Sequence, residues 1–386
     1  MITLKQGNRI KIIHILGKMD RGGAETWLMH VQRNINREKY QIDFIVHTND
    51  PGDYDEEIIR LGSKIIICLS PSHPWKYYRN MMRVLHEHGP YDVIHSHVHH
   101  FSGYILRIAK KFAIPVRIAH SHIDTSNLQE NSSIKRRLYL YLMKRWIESY
   151  STIGLAASQE AACDLFGPHW NSKPWIKIHY CGIDLAPFRE KYDPREVRSE
   201  LGIDEKSFVM GHIGRFDKQK NHILIVDVFE KIAKRDQNAV LLLVGTGPLL
   251  PYIKKRVEES DLNKKVHFVG IRKDIPRILI AAIDVFILPS LYEGLPLVGL
   301  EAQAAGKYFI RSEEITDEVD VVKPLIKRIS NRQSAEIWAN EICKFRNQEI
   351  PISREKALGM IENTNFNILN GLDNLERCYK GEYGKR

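Results

Sequence analysis

The most constraining feature of this sequence is a pattern that runs twice, in which short apolar, β-branched runs are separated by longer stretches with helical spacing. In the first half the strand-like runs are Arg9–Leu16, Gln41–His47, Lys64–Cys68, Val93–His95, Val116–Ala119 and Ile153–Ala156. Helical stretches between them fall at Ala24–Asn34, Asp55–Gly62, Trp75–His88, Gly103–Phe112 and Ile134–Tyr150. The second half repeats the pattern, with strands at Phe208–Gly214, Val240–Gly245, Val266–Val269, Val285–Leu288 and Tyr308–Ile310. Its helices fall at Ile223–Arg235, Leu249–Ser260, Asp274–Ala282 and Leu297–Ala305. Alternating strands and helices build βαβ units, and such units close into mostly parallel sheets. A length of 386 residues is also too great for one ordinary core. The expectation is an α/β protein of two doubly wound parallel-sheet domains facing a central cleft. The Pro- and charge-rich segment 182–197 marks the boundary, giving domains at 1–184 and 185–364. The last helical stretch, within 365–386, has no strand after it and is expected to pack back on the first domain.

The net charge is +10, and +7 of it falls in residues 1–184, which fits an anionic partner. The apolar run 278–288 is broken by Asp284 and is too short to cross a bilayer. No signal-peptide pattern is visible at the N-terminus. Five scattered cysteines without a Cys-x-x-Cys pair point to a reducing cytoplasm and offer no zinc ligand set. Nucleic acid is not an expected partner, because no basic-aromatic motif recurs. No Gly-x-Gly-x-x-Gly follows the first strand, which argues against a dehydrogenase.

Open α/β sheets bind ligands beyond the carboxyl ends of their strands, so the loops there carry the chemistry. Three stand out in the second half. Arg215 and Lys220 share the loop after the strand ending at Ile213, and they either wrap a diphosphate or are two solvated surface cations. Gly245-Thr246-Gly247 follows an apolar strand, but Leu250 occupies the third glycine position of a dinucleotide fingerprint. In the third loop, Pro289 to Glu301, Gly294 and Leu295 precede a helix that begins near Leu297. The N–H groups of that helix can seat a phosphate. Glu293 then stands beside a sugar and Glu301 can accept ribose hydroxyls, unless the pair is an incidental capping arrangement.

In the first half, Gly22 and Gly23 open a helix and let backbone approach a phosphate, or simply make a tight turn. Two His-x-His clusters, His95/His97 and His120/His122, each follow a strand. No cysteine or carboxylate accompanies them at ligand spacing, so the reading is no metal site. The histidines are instead cleft-lining hydrogen-bonding or acid/base groups, or packing residues.

Arg215-x4-Lys220, a Gly-x-Gly after an apolar strand, and Glu293-x7-Glu301 after Pro-Ser resemble the pattern of family-4 glycosyltransferases of the GT-B fold. Gly22-Gly23-Ala24-Glu25 stands where that family has the same four residues. Together MDRGGAET, IHSHVHHFSG, RIAHSHID and PSLYEGLPLVGLEAQAAG look most like the bacterial subgroup that builds exopolysaccharide or capsule. The resemblance runs from Lys11 to about Asn331 and implies two Rossmann-like domains and metal-independent sugar transfer with retention of configuration, without a cofactor. It implies a nucleotide-diphosphate sugar donor, UDP-linked by family tendency, and a saccharide acceptor, lipid-linked in this subgroup. By it, Arg215 and Lys220 hold the diphosphate, Glu293 the donor sugar, Glu301 the ribose, and Arg272 lies near the base. Gly22, Gly23, Gly294, Leu295 and Leu297 line the donor, and His120 or His122 stands by the reacting sugar.

Three departures bear on the choice of sugar. Lys307 and Tyr308 stand where the family has a Pro-containing strand, 312–317 replaces an acidic-Gly-rich loop, and Pro296 replaces a Gly. Residues 132–150 combine Lys135, Arg136, Arg137, Lys144 and Arg145 with Leu, Tyr, Met and Trp. That composition suits either the headgroup layer of an anionic membrane at the inner face of the cell membrane or an ordinary packed helix. A nucleotide-sugar epimerase and a non-catalytic nucleotide-sugar-binding subunit are the competing readings.

Overall fold

A computed structural model describes residues 9–123, 133–346 and 348–384. They fall into two compact units, one running to Gly182 and resuming at Ile368, the other spanning Ile183–Asn367. The boundaries differ by a few residues from 184 and 365, because the chain crosses over just before Ile183 pairs with Asn367.

The first unit contains β1 (Ile10–Ile15), α1 (Gly23–Asn34), β2 (Tyr40–Val46), α2 (Asp55–Arg60), β3 (Ile65–Ile67), α3 (Pro74–His88) and β4 (Val93–Ser96). It continues with α4 (Ser102–Lys111), β5 (Val116–Ser121), α5 (Ile134–Tyr150), β6 (Ile153–Ala156), α6 (Gln159–Phe166) and β7 (Ile176–Ile178). Its seven strands are parallel in the order β3-β2-β1-β4-β5-β6-β7. The central strands are buried on both faces, as a sheet covered by helices requires, while the edge strands β3 and β7 are partly exposed. Helix α5 buries Leu140, Met143 and Ile147 on one face. It lies close against α4 because Gly103 has no Cβ to strike the Met143 carbonyl.

The second unit contains α7 (Pro194–Glu200), β8 (Phe208–Ile213), α8 (His222–Arg235), β9 (Ala239–Val244), α9 (Leu250–Glu259) and β10 (Val266–Phe268). These are followed by α10 (Ile275–Ala281), β11 (Val285–Leu288), α11 (Leu297–Ala304), β12 (Tyr308–Ser312), β13 (Ile326–Ile329), α12 (Ala335–Phe345) and α13 (Arg354–Glu362). The strand order is β10-β9-β8-β11-β12-β13, again all parallel. Its topological switch point lies between β8 and β11, and the loops that carry Arg215, Lys220 and Glu293 leave the sheet there.

The last helix, α14 (Ile368–Tyr379), belongs to the first unit. Tyr40 Oη donates to Glu376 Oε2 at 3.1 Å, and Tyr379 is buried beside Tyr40. Among the described residues no helix is long and apolar enough to cross a membrane.

Candidate active site

Strand β8 ends at Ile213 and the chain turns at Gly214 against the loop that follows β9. Phe216 N donates to the Thr246 carbonyl at 2.9 Å. Gly245 holds φ +132, and a Cβ there would collide with the Gly214 carbonyl; one on Gly247 would meet Phe216 backbone. The Gly-x-Gly pattern therefore serves loop-on-loop packing. Phe216 is fully buried and stacks on His222, anchoring the start of α8.

The same loop clasps the one that follows β11. Leu291 N donates to the Gln219 carbonyl at 2.8 Å, and Asn221 Nδ2 donates to the Pro289 carbonyl at 3.2 Å. Gln219 Nε2 donates to the Tyr292 carbonyl at 2.9 Å and to Glu293 Oε2 at 3.1 Å. At the centre Lys220 Nζ meets Glu293 Oε1 at 2.5 Å, with only 16% and 9% of the two side chains exposed. Arg215 differs: 68% of its side chain is exposed and Asp217 lies 4.0 Å away, so its guanidinium is available to an anion.

Gly294, Leu295 and Leu297 are buried where the loop enters α11, and Pro296 occupies the cap position just before the helix. Gly299 has no Cβ to strike the Phe309 ring, so α11 sits tight on β12. Glu301 lies on this helix, its carboxylate without a hydrogen-bond partner among the described residues. Burial raises its carboxyl to about 7. The folded-state value exceeds the ordinary carboxylate value, so the ionised form costs stability above pH 7. That cost declines as pH falls from 7 towards 4.5 and is gone below 4.5. Glu301→Gln is therefore expected to raise the Tm of the ligand-free protein at pH 8, by about 2–4 °C per kcal/mol relieved, and to leave it nearly unchanged at pH 4. A thermal melt showing no gain at pH 8 would mean that this carboxylate is not held at a cost.

Arg272 sits elsewhere in its bonding. Its guanidinium forks onto Asp274 at 2.8 Å and reaches Glu200 of α7 at 2.9 Å, so two carboxylates already engage it. His212 was not singled out from the sequence. It lies on β8 with Nδ1 donating to the Ile287 carbonyl at 2.9 Å, and its Nε2 has no partner among the described residues. Its position near the end of a strand, two residues before Gly214, was the available signal.

In the first unit, Gly22 caps α1 with the Glu25 side chain folded beside it, while Gly23 has open space around it. A carboxylate in a helix's first turn complements the helix dipole, so the anion nearest Gly22 is the chain's own. His120 is completely buried, and Nδ1 faces His95 Nε2 at 3.1 Å. His122 is partly exposed but both ring nitrogens are engaged, with His97 at 2.8 Å and Cys181 at 3.5 Å. Neither ring presents a free nitrogen to solvent. Asp124, two residues after His122, lies outside the described residues.

Two family models match: "Glycosyltransferase Family 4" over residues 21–186 and "Glycosyl transferases group 1" over 193–365. The chain is 34% identical over 339 residues to the glycosyltransferase EpsF of Bacillus subtilis (strain 168), covering 86% of this chain and 87% of that one. It is 26% identical to the UDP-Gal:alpha-D-GlcNAc-diphosphoundecaprenol alpha-1,3-galactosyltransferase of Escherichia coli, covering 97% and 96% of the two chains. Anabaena HepE, solved with UDP and glucose, shares the fold at a TM-score of 0.79 and 16% identity, covering 96% of this chain and all 100% of its own. With two Rossmann-like units, both family models and a relative of this similarity, the chain belongs to glycosyltransferase family 4 and has the GT-B fold.

Proposed function

We propose that this glycosyltransferase moves a sugar from a UDP-sugar, with retention of configuration, to a lipid-linked saccharide during assembly of a surface polysaccharide. The observation that carries this reading is the Lys220–Glu293 pair, held by Gln219 at the switch point of the second sheet. A sugar diphosphate entering there exchanges one anion for another: the diphosphate draws Lys220 and exposed Arg215, and Glu293 turns to sugar hydroxyls. Negative charge that grows on the departing UDP is offset by the two cations, so transfer needs no metal at the donor. Glu301 accepts the ribose hydroxyls, gaining the hydrogen bonds it otherwise lacks. The named donor and acceptor of the Escherichia coli relative, UDP-galactose and a diphosphoundecaprenol-linked sugar, support the choice of substrate classes. A capsular polysaccharide glycosyltransferase of Staphylococcus aureus, 26% identical over 378 residues, supports the pathway class. Thermal shift without added metal tests the donor assignment. UDP and one UDP-sugar are expected to stabilise the protein, and Arg215→Ala is expected to lose most of that shift. No response to any nucleotide would sink the assignment.

A lipid-linked acceptor calls for contact with a membrane surface, and α5 supplies one. Ile134, Leu138 and Tyr141 are exposed along one stripe at 84%, 67% and 69%, flanked by exposed Lys135, Arg136, Arg137 and Arg145. Residue 132, at the start of the segment marked in the sequence, lies outside the described residues. A cavity of about 240 Å³ beside the stripe is lined by Lys144, Arg145, Lys173 and Trp175 among others. Cations around an apolar stripe match an anionic headgroup layer. The protein is expected to sediment with phosphatidylglycerol vesicles at low salt and not with phosphatidylcholine vesicles. Leu138→Asp with Arg145→Ala should abolish this, and sedimentation equal to wild type would remove α5 from the contact.

A further inference from the structure

The histidines of the first unit make a second assembly. Strand alternation puts His95 with His97, and His120 with His122, on common faces. The register pairs His14 with His95 and Ser96 with Ala119, which sets His97 alongside His120 beyond the paired residues. The ring nitrogens then divide into two sets. On the outer side His97 Nε2 meets His14 Nδ1 at 2.9 Å, His120 Nδ1 meets His95 Nε2 at 3.1 Å, and His122 Nδ1 meets Cys181 Sγ at 3.5 Å. Tyr379 Oη of α14 stands behind them, 3.4 Å from both His14 Nε2 and His95 Nδ1. On the inner side remain His97 Nδ1 and His122 Nε2, 2.8 Å apart, and His120 Nε2, which is buried without a partner among the described residues. One ring nitrogen from each of the three lies within 4.8 Å of the others.

We propose that His97, His120 and His122 of the first unit bind a single divalent transition cation that prefers imidazole, with Zn²⁺ first. Nitrogens bound tetrahedrally to zinc at 2.0–2.1 Å stand about 3.4 Å apart, so small ring movements bring the three onto one ion. Each ligand's opposite nitrogen already has a partner, the arrangement that fixes tautomer and ring orientation around bound metals. Three imidazoles without a carboxylate disfavour Mg²⁺ and Ca²⁺, and they leave a fourth position for water or a substrate oxygen. The set is invisible as local ligand spacing because two neighbouring strands assemble it.

The test is Zn²⁺ titration by calorimetry into the full chain after chelator treatment, with Co²⁺ as a spectroscopic probe. One ion per chain is expected, with visible ligand-field bands for Co²⁺. His122→Gln, at the partly exposed rim, should weaken binding about 100-fold or more, and Cys181→Ala, which removes only an outer partner, about 10–100-fold. His86→Gln, on the surface of α3, should bind as wild type does. Absence of stoichiometric binding by the wild type, or unchanged affinity in a folded His122→Gln protein, overturns the proposal. The rings are then a hydrogen-bonded chain only.

Discussion

Lys220→Ala is expected to lower kcat by about two to three orders of magnitude, the usual cost of removing one preorganised group that meets developing charge. Lys220 is largely buried against Glu293, so its ammonium has a fixed position when the diphosphate arrives. Lys220→Arg is not expected to restore the rate, because a planar fork cannot replace a point charge in a contact of 2.5 Å. Glu293→Gln should also slow turnover, and the double variant should lose much less than the sum of the two, since the residues act as a unit. Steady-state kinetics on purified variants reads all four forms. Turnover of Lys220→Ala within threefold of wild type would remove this residue from the leaving-group site, whatever its effect on stability.

The largest stability loss is expected at Arg311. This side chain is completely buried at the end of β12. It donates to Asp320 at 2.7 and 2.6 Å, to Asp317 at 2.6 Å, and to the Ser312 and Ile315 carbonyls at 2.8 Å each. Arg311→Met leaves Asp320, 3% exposed, paired only with Arg328, whose own side chain is 43% exposed. Breaking one side of a buried charge network costs about 3–5 kcal/mol, which for a unit of this size corresponds to a Tm lower by about 10 °C. Adding Asp320→Asn should recover part of the loss by removing the stranded charge. A fall of less than 2 °C by calorimetry would show that water or relaxation replaces the guanidinium. The damage should reach the donor loop as well, because neighbouring Ser312 Oγ donates to the Ser290 carbonyl at 2.6 Å.

The Arg311 cluster also shows where reading the sequence stops. Residues 312–317 stood out as a departure from the family's acidic-Gly-rich loop, but nothing in their order says that they wrap a buried guanidinium supplied by the preceding strand. The alternating strands and helices were legible because each apolar run is long enough to be buried on both faces. Strands β7 and β13 were not, since IKI and IKRI are short and their apolar pattern is broken by cations that stay exposed or half-exposed. Helices α6, α7, α12 and α13 were missed for a related reason: they lie at the boundary or after the last recognised strand, outside the alternation. At the site, Arg215, Lys220 and Glu293 were visible because each sits in a strand-to-helix loop, and Glu301 because it lies in the first turns of the helix that follows. Their pairing was not, because the Lys220–Glu293 bond joins residues from two different loops. The histidines posed the same problem. Their two His-x-His pairs were plain, yet only the register of β4 and β5 brings them together.

The return of α14 to the first unit has a consequence for synthesis. Everything that builds the second unit leaves the ribosome before Ile368 does, so that unit can finish folding while the first still lacks a piece. Until α14 arrives, the surface around Tyr40 and the outer side of the histidine cluster stay uncovered. A nascent chain paused at this stage presents apolar surface to chaperones, and a premature stop after Asn367 would damage the half of the protein that was made first.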